Sequence, residues 1–358
     1  MVLLSVTMND GVIPRSEIEG KDNSSADKSN YKVVLMGDMV YNSMRMWQGA
    51  NGISPYDGIV SPAYTVLMPK IPISNGYFAA LFKSPNLINE FRKNSQGMTS
   101  DTWNLKYPQI ETIKVHIPPL SEQNRVADML GTLERRIAKQ AQLVENLKKY
   151  KRGVMQRIFR QLPSQNGAEW TCVRLGDIFK KVSRRNTDGV IKNVITNSAE
   201  YGLIPQRDFF DKVIAVDGNT ANYYVIENGD FVYNPRKSNS APYGPFNRYT
   251  LSEQGIISPL YTCLVLQADI SPSYLAWYFK SDAWYRYIYD NGSQGVRHDR
   301  VSMTDDLLMG IPVMYPSHVK QLLYADILDM VEARLQATQK TLDLLSKTKD
   351  GYMKQLFI

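Results

Sequence analysis

The chain contains two copies of one long sequence pattern, and this internal repeat constrains its fold more than any other feature. Residues 58–67, GIVSPAYTVL, return 197 positions later as residues 255–264, GIISPLYTCL. Shorter matches keep the same order: GVIP at residues 11–14 with GLIP at 202–205, and GDMVYN at 37–42 with GDFVYN at 229–234. Two copies at such a long period predict a duplicated globular module, because solenoids are built from several short units.

Size and composition are those of a protein with a substantial core. A chain of 358 residues has room for two or three domains. No apolar run approaches the roughly 18 residues of a membrane-spanning helix, and residues 1–8 are expected to form a strand rather than a signal peptide. Cys172 and Cys263 cannot supply a disulfide framework or a thiolate metal site. We expect a cytoplasmic protein without a membrane partner.

The positive charge is concentrated in one segment. Residues 119–161 carry +6 of the chain's net charge of +7. A solvated helix face would explain this excess, and so would contact with a polyanion.

Two segments have a helical pattern with the same spacing. The first is expected to begin with Ser121 as its N-cap. Its apolar positions alternate in steps of three and four, which is the seam of a coiled coil, and the second segment repeats them 198 residues later. The seam residues are Leu130, Leu133, Ile137, Val144 and Leu147, then Leu328, Val331, Leu335, Leu342 and Leu345. Polar interruptions also match, Gln140 with Thr338 and Lys151 with Lys349.

Two seams in one register are expected to pack on each other. The rest of the chain mixes short strands, at residues 31–34, 194–196, 231–233 and 261–266, with one aromatic helical stretch per module, at 76–91 and 272–289. The predicted fold is α+β, with two similar β-rich domains and two long helices that pack on each other. The first β-rich domain is predicted at residues 1–118 and the second at 162–315. The first long helix is predicted at 119–161 and the second at 316–358.

The two copies differ at their beginnings. Residue 1 corresponds to about residue 192, and the block from Trp170 through residues 175–178, LGDI, has no partner in the first half. About 20 residues of the first module are therefore expected to be missing, through a trimmed start or a natural permutation.

Several motifs together resemble a known family. Residues 117–123, IPPLSEQ, precede Val126, Ala127 and the first seam, and Trp170 with LGDI follows a helix that ends in a basic segment. In this order, the motifs are similar to those of the specificity subunit of Type I restriction–modification systems. The resemblance covers both modules and both helices, although the second helix begins with residues 311–316, IPVMYP, instead of the first motif.

The resemblance implies a division of labour. Each module would be a target recognition domain that reads one half of a split site on double-stranded DNA. The paired helices would be the spacer, a two-helix antiparallel coiled coil with pseudo-two-fold symmetry that separates the two domains. Two methyltransferase subunits that modify adenine would bind the assembly, and a restriction subunit is an optional further partner. The chain itself would be non-catalytic and would hold no cofactor.

Polar loops after corresponding strands are the candidate DNA-reading elements. Arginine suits guanine, whereas asparagine and glutamine suit adenine. One pair of loops covers residues 42–51 and 234–240, and a second pair begins at 95 and 293 with a shared SQG. The predicted DNA-binding residues are Arg45, Gln48, Asn51, Gln96 and Thr99 in module one, and Arg236, Lys237, Asn239, Gln294, Arg297, His298 and Arg300 in module two. Ordinary solvated turns would have the same composition.

Helix length predicts the spacing of the target. Leu130 to Ile158 is 28 steps, or about 42 Å of helix, which is near 12 base pairs of DNA. We expect a bipartite site with a fixed gap. Because the modules have almost no net charge, we expect the isolated chain to bind DNA weakly.

Other functions have less support. The sequence has no P-loop, dinucleotide fingerprint or metal-spaced histidine cluster. One alternative is a scaffold that binds proteins rather than DNA through its two modules. Another is an enzyme with a site among Trp277, Trp284, Tyr285 and Tyr287, although such a helical aromatic stripe is more typical of a core.

Overall fold

The computed structural model describes residues 1–20, 24–208, 220–292 and 299–357. These residues form two compact units. Unit 1 contains residues 1–144 and 337–358, and unit 2 contains residues 145–336. Neither unit is a single half of the sequence, because each long helix contributes one part to unit 1 and the other part to unit 2.

The strands of unit 1 form two small sheets. They are β1 (Val2–Thr7), β2 (Gly11–Pro14), β3 (Lys32–Val34), β4 (Met39–Asn42), β5 (Asn51–Ile53), β6 (Gly58–Val60) and β7 (Tyr64–Leu67). One sheet has the order β2-β1-β6-β3, in which β1 and β6 are parallel, and the other has the order β5-β4-β7. The expected strand at the start of the chain is confirmed.

Unit 2 repeats this plan and extends it. Its strands are β8 (Thr171–Arg174), β9 (Phe179–Val182), β10 (Ile195–Ser198), β11 (Gly202–Pro205), β12 (Tyr224–Ile226), β13 (Phe231–Tyr233), β14 (Phe246–Arg248), β15 (Gly255–Ile257), β16 (Thr262–Leu266) and β17 (Pro312–Tyr315). The central sheet is β14-β13-β16-β9, and β10-β11, β12-β15 and β17-β8 pair separately. The four internal strand predictions hold to within two residues at their ends.

The block without a counterpart in the first half has a definite place in unit 2. Strand β8 pairs with β17, and β9 adds a fourth strand beside β16. In unit 1, β7 is an edge strand of a three-stranded sheet. The sequence difference between the two modules is therefore a difference in how far their sheets extend.

The helices include the two long ones expected from the heptads. They are α1 (Asn75–Leu81), α2 (Pro85–Asn94), α3 (Tyr107–Ile110), α4 (Leu120–Gln156), α5 (Leu162–Gln165), α6 (Leu175–Ile178), α7 (Pro272–Lys280), α8 (Tyr285–Asn291), α9 (Asp305–Met309) and α10 (His318–Leu356). Helix α4 begins at Leu120, so Ser121 lies in its first turn and is not the N-cap. None of the helices described is both long and apolar enough to span a bilayer.

Each predicted aromatic helix is two helices. In unit 1 the chain turns at Ser84, whose hydroxyl accepts a hydrogen bond from the backbone N–H of Leu87 and caps α2. Pro85 then occupies the first turn, where a missing N–H costs nothing. In unit 2 the break lies at Ser281, whose hydroxyl donates to the carbonyl of Tyr278. The periodic pattern continued through these breaks, so the sequence alone did not reveal them.

The seam positions lie away from solvent in both long helices. Leu130, Val144 and Leu328 are buried, and Leu133, Ile137, Leu147, Val331, Leu335, Leu342 and Leu345 are half-buried. The pattern shifts in the last turns of α10, where Tyr352 and Leu356 are 39% and 38% exposed. Met353 and Phe357 take the buried positions there and complete the core of unit 1.

Polar contacts show that α4 and α10 run antiparallel in unit 1. In unit 1, the Gln140 amide donates to the carbonyl of Thr338 at 2.9 Å, and Lys349 Nζ lies 2.7 Å from Glu134 Oε1. As α4 advances from 134 to 140, its partner positions on α10 go back from 349 to 338. The antiparallel helix pair is therefore confirmed, and the polar interruptions of the heptads are the residues that make these contacts.

The same ion pair recurs in unit 2 with the helices exchanged. Lys151 Nζ on α4 lies 2.6 Å from Glu332 Oε2 on α10. Lys151 and Glu332 are the counterparts, 198 residues apart, of Lys349 and Glu134. Burial alone would raise the pKa of Glu332, but the hydrogen bond and charge of Lys151 outweigh it and lower that pKa.

A hydrogen-bonded glutamine joins each globular part to its long helix. In unit 1, Gln123 accepts from the backbone N–H of Ser74 at 3.0 Å and donates to the carbonyl of Pro118. In unit 2, Gln321 accepts from the N–H of Ser271 at 2.8 Å and donates to the carbonyl of Pro316. Both glutamines are 2% exposed. Losing either would leave a buried N–H and a buried carbonyl without partners, which is costly.

Candidate nucleic-acid interface

The first predicted loop of unit 1 follows β4 as a tight turn. Residues 46–48 form a short 3-10 helix that ends at Gly49, whose φ of +86° favours glycine. Arg45 is exposed and Gln48 is half-buried on this turn. Both side chains are therefore presented at the end of the β5-β4-β7 sheet.

Asn51 occupies a different environment. Its side chain is fully buried, and its amide donates to the carbonyls of Gly49 and Phe82, each at 3.2 Å. An asparagine with its amide engaged inside the core holds the turn in shape and presents nothing to solvent. We therefore leave Asn51 out of the proposed reading surface.

The second predicted loop of unit 1 lies against the first. The backbone N–H of Leu105 donates to the carbonyl of Ser43 at 2.8 Å, and the rings of Trp47 and Trp103 meet edge to face at 5.2 Å. The predicted residues of this loop, Gln96 and Thr99, are both exposed. The structure thus brings Arg45, Gln48, Gln96 and Thr99 to neighbouring loops.

The Trp47–Trp103 pair was not singled out from the sequence. The guanidinium of Arg92 lies 5.7 Å from the centre of the Trp103 ring, a cation–π distance. The Trp47 ring N–H donates to the carbonyl of Met44. These contacts fix the two loops relative to each other, and only the clustering of aromatic residues in both loops could have indicated them.

In unit 2, the equivalent loop follows β13. Arg236 and Asn239 are exposed and Lys237 is half-buried. The backbone of this loop pairs with residues 299–301: the N–H of Lys237 donates to the carbonyl of Asp299 at 2.9 Å, and the N–H of Val301 to that of Pro235. The two predicted loops adjoin in unit 2 as they do in unit 1.

One carboxylate lies between two of the predicted arginines. Asp299 Oδ2 is 3.8 Å from Arg236 and 3.9 Å from Arg300. Burial raises the pKa of the nearby Tyr261, and the positive charges of these arginines oppose that rise. The cluster carries a net positive charge at the loop surface. Gln294, Arg297 and His298 lie outside the described residues.

Buried asparagines support the loop of unit 2. The side chain of Asn197 donates to the carbonyl of Val232 at 2.9 Å and accepts from Asn247 at 2.7 Å. Asn234 donates to the carbonyl of Asn197 and accepts from the backbone N–H of Arg236. The network therefore reaches from the sheet into the reading loop. Asn197 and Asn247 were not predicted, because a buried asparagine has no distinctive spacing in sequence.

A comparison with protein families shows what the first part of the chain is similar to. Residues 5–149 match the family described as the Type I restriction modification DNA specificity domain. The resemblance inferred from the sequence is confirmed, since a second comparison gives the same answer: a protein of Methanocaldococcus jannaschii assigned as the MjaX type I restriction enzyme specificity subunit is 22% identical over 216 residues. The match covers 51% of this chain and 49% of the relative, so it spans about half the length of that protein.

Solved structures share the fold of almost the whole chain. The S subunit of the Type I restriction–modification system of M. genitalium is 14% identical with a TM-score of 0.56, over 99% of this chain and 94% of that one. A chain solved in work on complex assembly and conformational transition of the type I R-M system is 18% identical with a TM-score of 0.55, over 99% and 90%. At this identity the likeness concerns the fold, which is α+β as predicted.

Proposed function

We propose that this chain is the DNA-recognition subunit of a Type I restriction–modification complex. It reads a bipartite site and positions two adenine methyltransferase subunits, and a restriction subunit is a further partner. The chain supplies no chemistry of its own and acts in the cytoplasm, where its DNA lies. The observation that carries the proposal is the pair of adjoining polar loops at the end of a sheet in each unit, within a chain that contains a DNA specificity domain.

The loops have the chemistry that base reading requires. Arg45 with Gln48, Gln96 and Thr99 can offer hydrogen-bond donors and acceptors to base edges in the major groove, and Arg236 and Arg300 are suited to guanine. Their frames are rigid, because backbone pairing, the tryptophan contact and the asparagine network hold them. Rigid support of this kind keeps contact residues in a productive geometry.

The methyltransferase subunits are proposed from the family and from the repeated helix pair. The ion pair between Lys and Glu occurs once in each unit with the helices exchanged. Equivalent surfaces on two units suit two copies of one partner. The exposed basic residues Lys149 and Arg152 of α4 are candidates for phosphate or partner contact.

Methylome sequencing tests the proposal directly. A host that expresses this chain with its methyltransferase subunit is expected to show adenine methylation at one bipartite motif. Arg45→Ala should relax one half of the motif, and Arg236→Ala the other. Each should cost roughly 1–3 kcal/mol of discrimination at one base pair. Arg286→Ala removes the same charge from an exposed position on α8 and should leave the motif unchanged.

Each of four results would contradict the proposal or one part of it. Methylation that is absent, or a motif that none of the loop variants alters, would remove the reading role from these loops. Failure to bind DNA in the presence of the methyltransferase subunit would favour a protein-binding scaffold. Turnover by the purified chain alone would contradict the non-catalytic assignment.

A further inference from the structure

Each unit has a cleft between its globular part and its long helices, and the two clefts are built from the same charged residues. The cleft of unit 1 is lined by Lys83, Lys349 and Glu134, and that of unit 2 by their counterparts, listed here in the same order: Lys280, Lys151 and Glu332. Burial and the neighbouring lysine lower the pKa of both Lys83 and Lys280. The repeat has therefore preserved the charged side of the cleft.

In unit 2 this cleft contains an indole ring. Trp277 is 4% exposed, and the ammonium groups of Lys280 and Lys151 lie 4.8 and 5.2 Å from its ring centre. Its ring N–H donates to Asp329 Oδ1 at 2.8 Å. Two cations against one ring and an acceptor for its N–H are a complete set of partners for an indole.

In unit 1, small residues replace both the tryptophan and the aspartate that accepts from its ring N–H. Residues 74–84, SNGYFAALFKS, align with residues 271–281, SPSYLAWYFKS, which places Ala80 where unit 2 has Trp277. The seam register places Gly131 where unit 2 has Asp329. Ala80 and Gly131 both line the unit 1 cleft. The ring and its acceptor are therefore absent together, while the lysines and the glutamate remain.

The replacement leaves room. The unit 1 cleft has a volume of about 350 Å³, against about 180 Å³ for the cleft of unit 2. The larger value falls in the range of roughly 300–1,000 Å³ that is typical of small-ligand sites, and the smaller value does not. The apolar wall of the larger cleft includes Ala79, Ala127 and Leu130. A side chain at Gly131 would also fit, because an added Cβ would be 3.6 Å from its nearest neighbour, an Arg135 nitrogen.

We propose that the unit 1 cleft is a binding site for a planar aromatic group of the indole class. The occupant takes the place that Trp277 takes in unit 2, with its ring against the alanine wall and its face toward Lys83 and Lys349. A free anion is a poorer fit, since Glu134 and Asp10 line the same cleft and offset the two lysines. An indole-class ring can come from a free aromatic molecule or from a tryptophan side chain of a peptide.

Fluorine NMR of 5-fluoroindole titrated with the full chain tests the site. We expect saturable binding with a Kd of about 1 mM or lower, as for a good ligand of about ten non-hydrogen atoms. Ala80→Trp supplies the ring from within and should abolish binding. Gly131→Asp supplies the missing acceptor and should tighten binding about tenfold. The matched control Gly131→Ala has no acceptor and should give no such gain, nor should 1-methylindole, which has no ring N–H, gain from Gly131→Asp.

A second ligand distinguishes a free aromatic molecule from a tryptophan side chain of a peptide. Binding of N-acetyltryptophanamide as well as indole indicates a peptide side chain, and binding of indole alone indicates a free molecule. Absence of saturable binding to the unmodified chain would overturn the proposal, as would equal tightening by Gly131→Asp and Gly131→Ala. The Gly131→Asp variant is expected to bind indole more tightly, and this test remains valid even if the Ala80→Trp variant does not fold. The readout involves neither DNA nor methylation, so it stands apart from the proposed recognition role.

Discussion

The amide of Gln140 donates a hydrogen bond to the main-chain carbonyl of Thr338, its own counterpart 198 residues later. Gln140 and Thr338 occupy the same position in the two copies of the repeat, so corresponding positions of the two helices meet at this contact. The ion pairs Lys349–Glu134 and Lys151–Glu332 follow the same exchange. The duplication therefore accounts for how the two long helices recognise each other.

Replacing the central glutamine should raise stability at the expense of register. A polar residue at a seam position usually specifies alignment and reduces stability. We expect Gln140→Leu to raise the free energy of unfolding by about 1 kcal/mol, measured by urea denaturation. Leu143→Gln, at an exposed position on the same helix, is the reverse exchange outside the seam and should change little. A clear loss of stability in Gln140→Leu would show that the Thr338 contact outweighs apolar burial.

The ion pair of unit 2 should make stability depend on pH. The pKa of Glu332 is lowered in the folded chain, so the folded state favours the ionised form. Its contribution is fully present above the ordinary value of about 4.5 and is lost as the pH falls through the lower folded value. Glu332→Gln should cost about 1 kcal/mol at neutral pH, with the difference shrinking in acid. Thermal unfolding across pH measures it, and the exposed Glu145→Gln serves as the control.

Two phenylalanines at equivalent positions of the repeat should differ in their contribution to the free energy of unfolding. Phe159 packs on Tyr274 and Tyr278 at ring distances of 5.5 and 5.8 Å, whereas Phe357 packs on Tyr77 at 5.4 Å. Truncation of a buried phenylalanine to alanine costs about 3–5 kcal/mol. We expect Phe159→Ala near the upper value and Phe357→Ala near the lower one in denaturant unfolding.

The control for these truncations is Tyr150→Ala on α4, since Tyr150 is 59% exposed. It should be nearly neutral. Equal losses from the two phenylalanine variants would mean that the second tyrosine contact adds nothing measurable.

The asparagine network should matter for both stability and base reading. Asn197→Ala leaves the carbonyl of Val232 and the amide of Asn247 without this partner. The expected loss is about 1–3 kcal/mol in unfolding free energy. It should also blur one half of the methylated motif. Asn239→Ala, in the same loop but exposed, should affect the motif without affecting stability.

Helix length should set the gap of the target. Inserting one heptad after Ala141 and one after Gln339 adds about 10.5 Å of helix, or about three base pairs. Methylome sequencing should show a longer gap with unchanged half-sites. Two-residue insertions at the same points rotate the following seam by about 200°, away from its partner helix, and should abolish methylation. A gap that stays constant after the heptad insertions would refute the ruler hypothesis.

Sequence reasoning succeeded where periodicity or repetition carried the signal. The seam, the packing of the two long helices on each other and most strand positions follow from spacing alone, whereas the antiparallel direction came from the family resemblance. It failed where a single side chain decides: Asn51 looked like a reading residue but is buried, and Ser121 looked like a cap but lies inside the first turn. Spacing also could not show that Ala80 and Gly131 share one cleft, since that juxtaposition exists only in three dimensions.

The division of α10 between the two units has a consequence for biosynthesis. Met353 and Phe357 belong to the same core as Leu130 and Tyr77, hundreds of residues earlier in the chain. A ribosome makes these parts at widely separated times. The N-terminal part of unit 1 therefore cannot complete its core until the last turns of α10 have been synthesised.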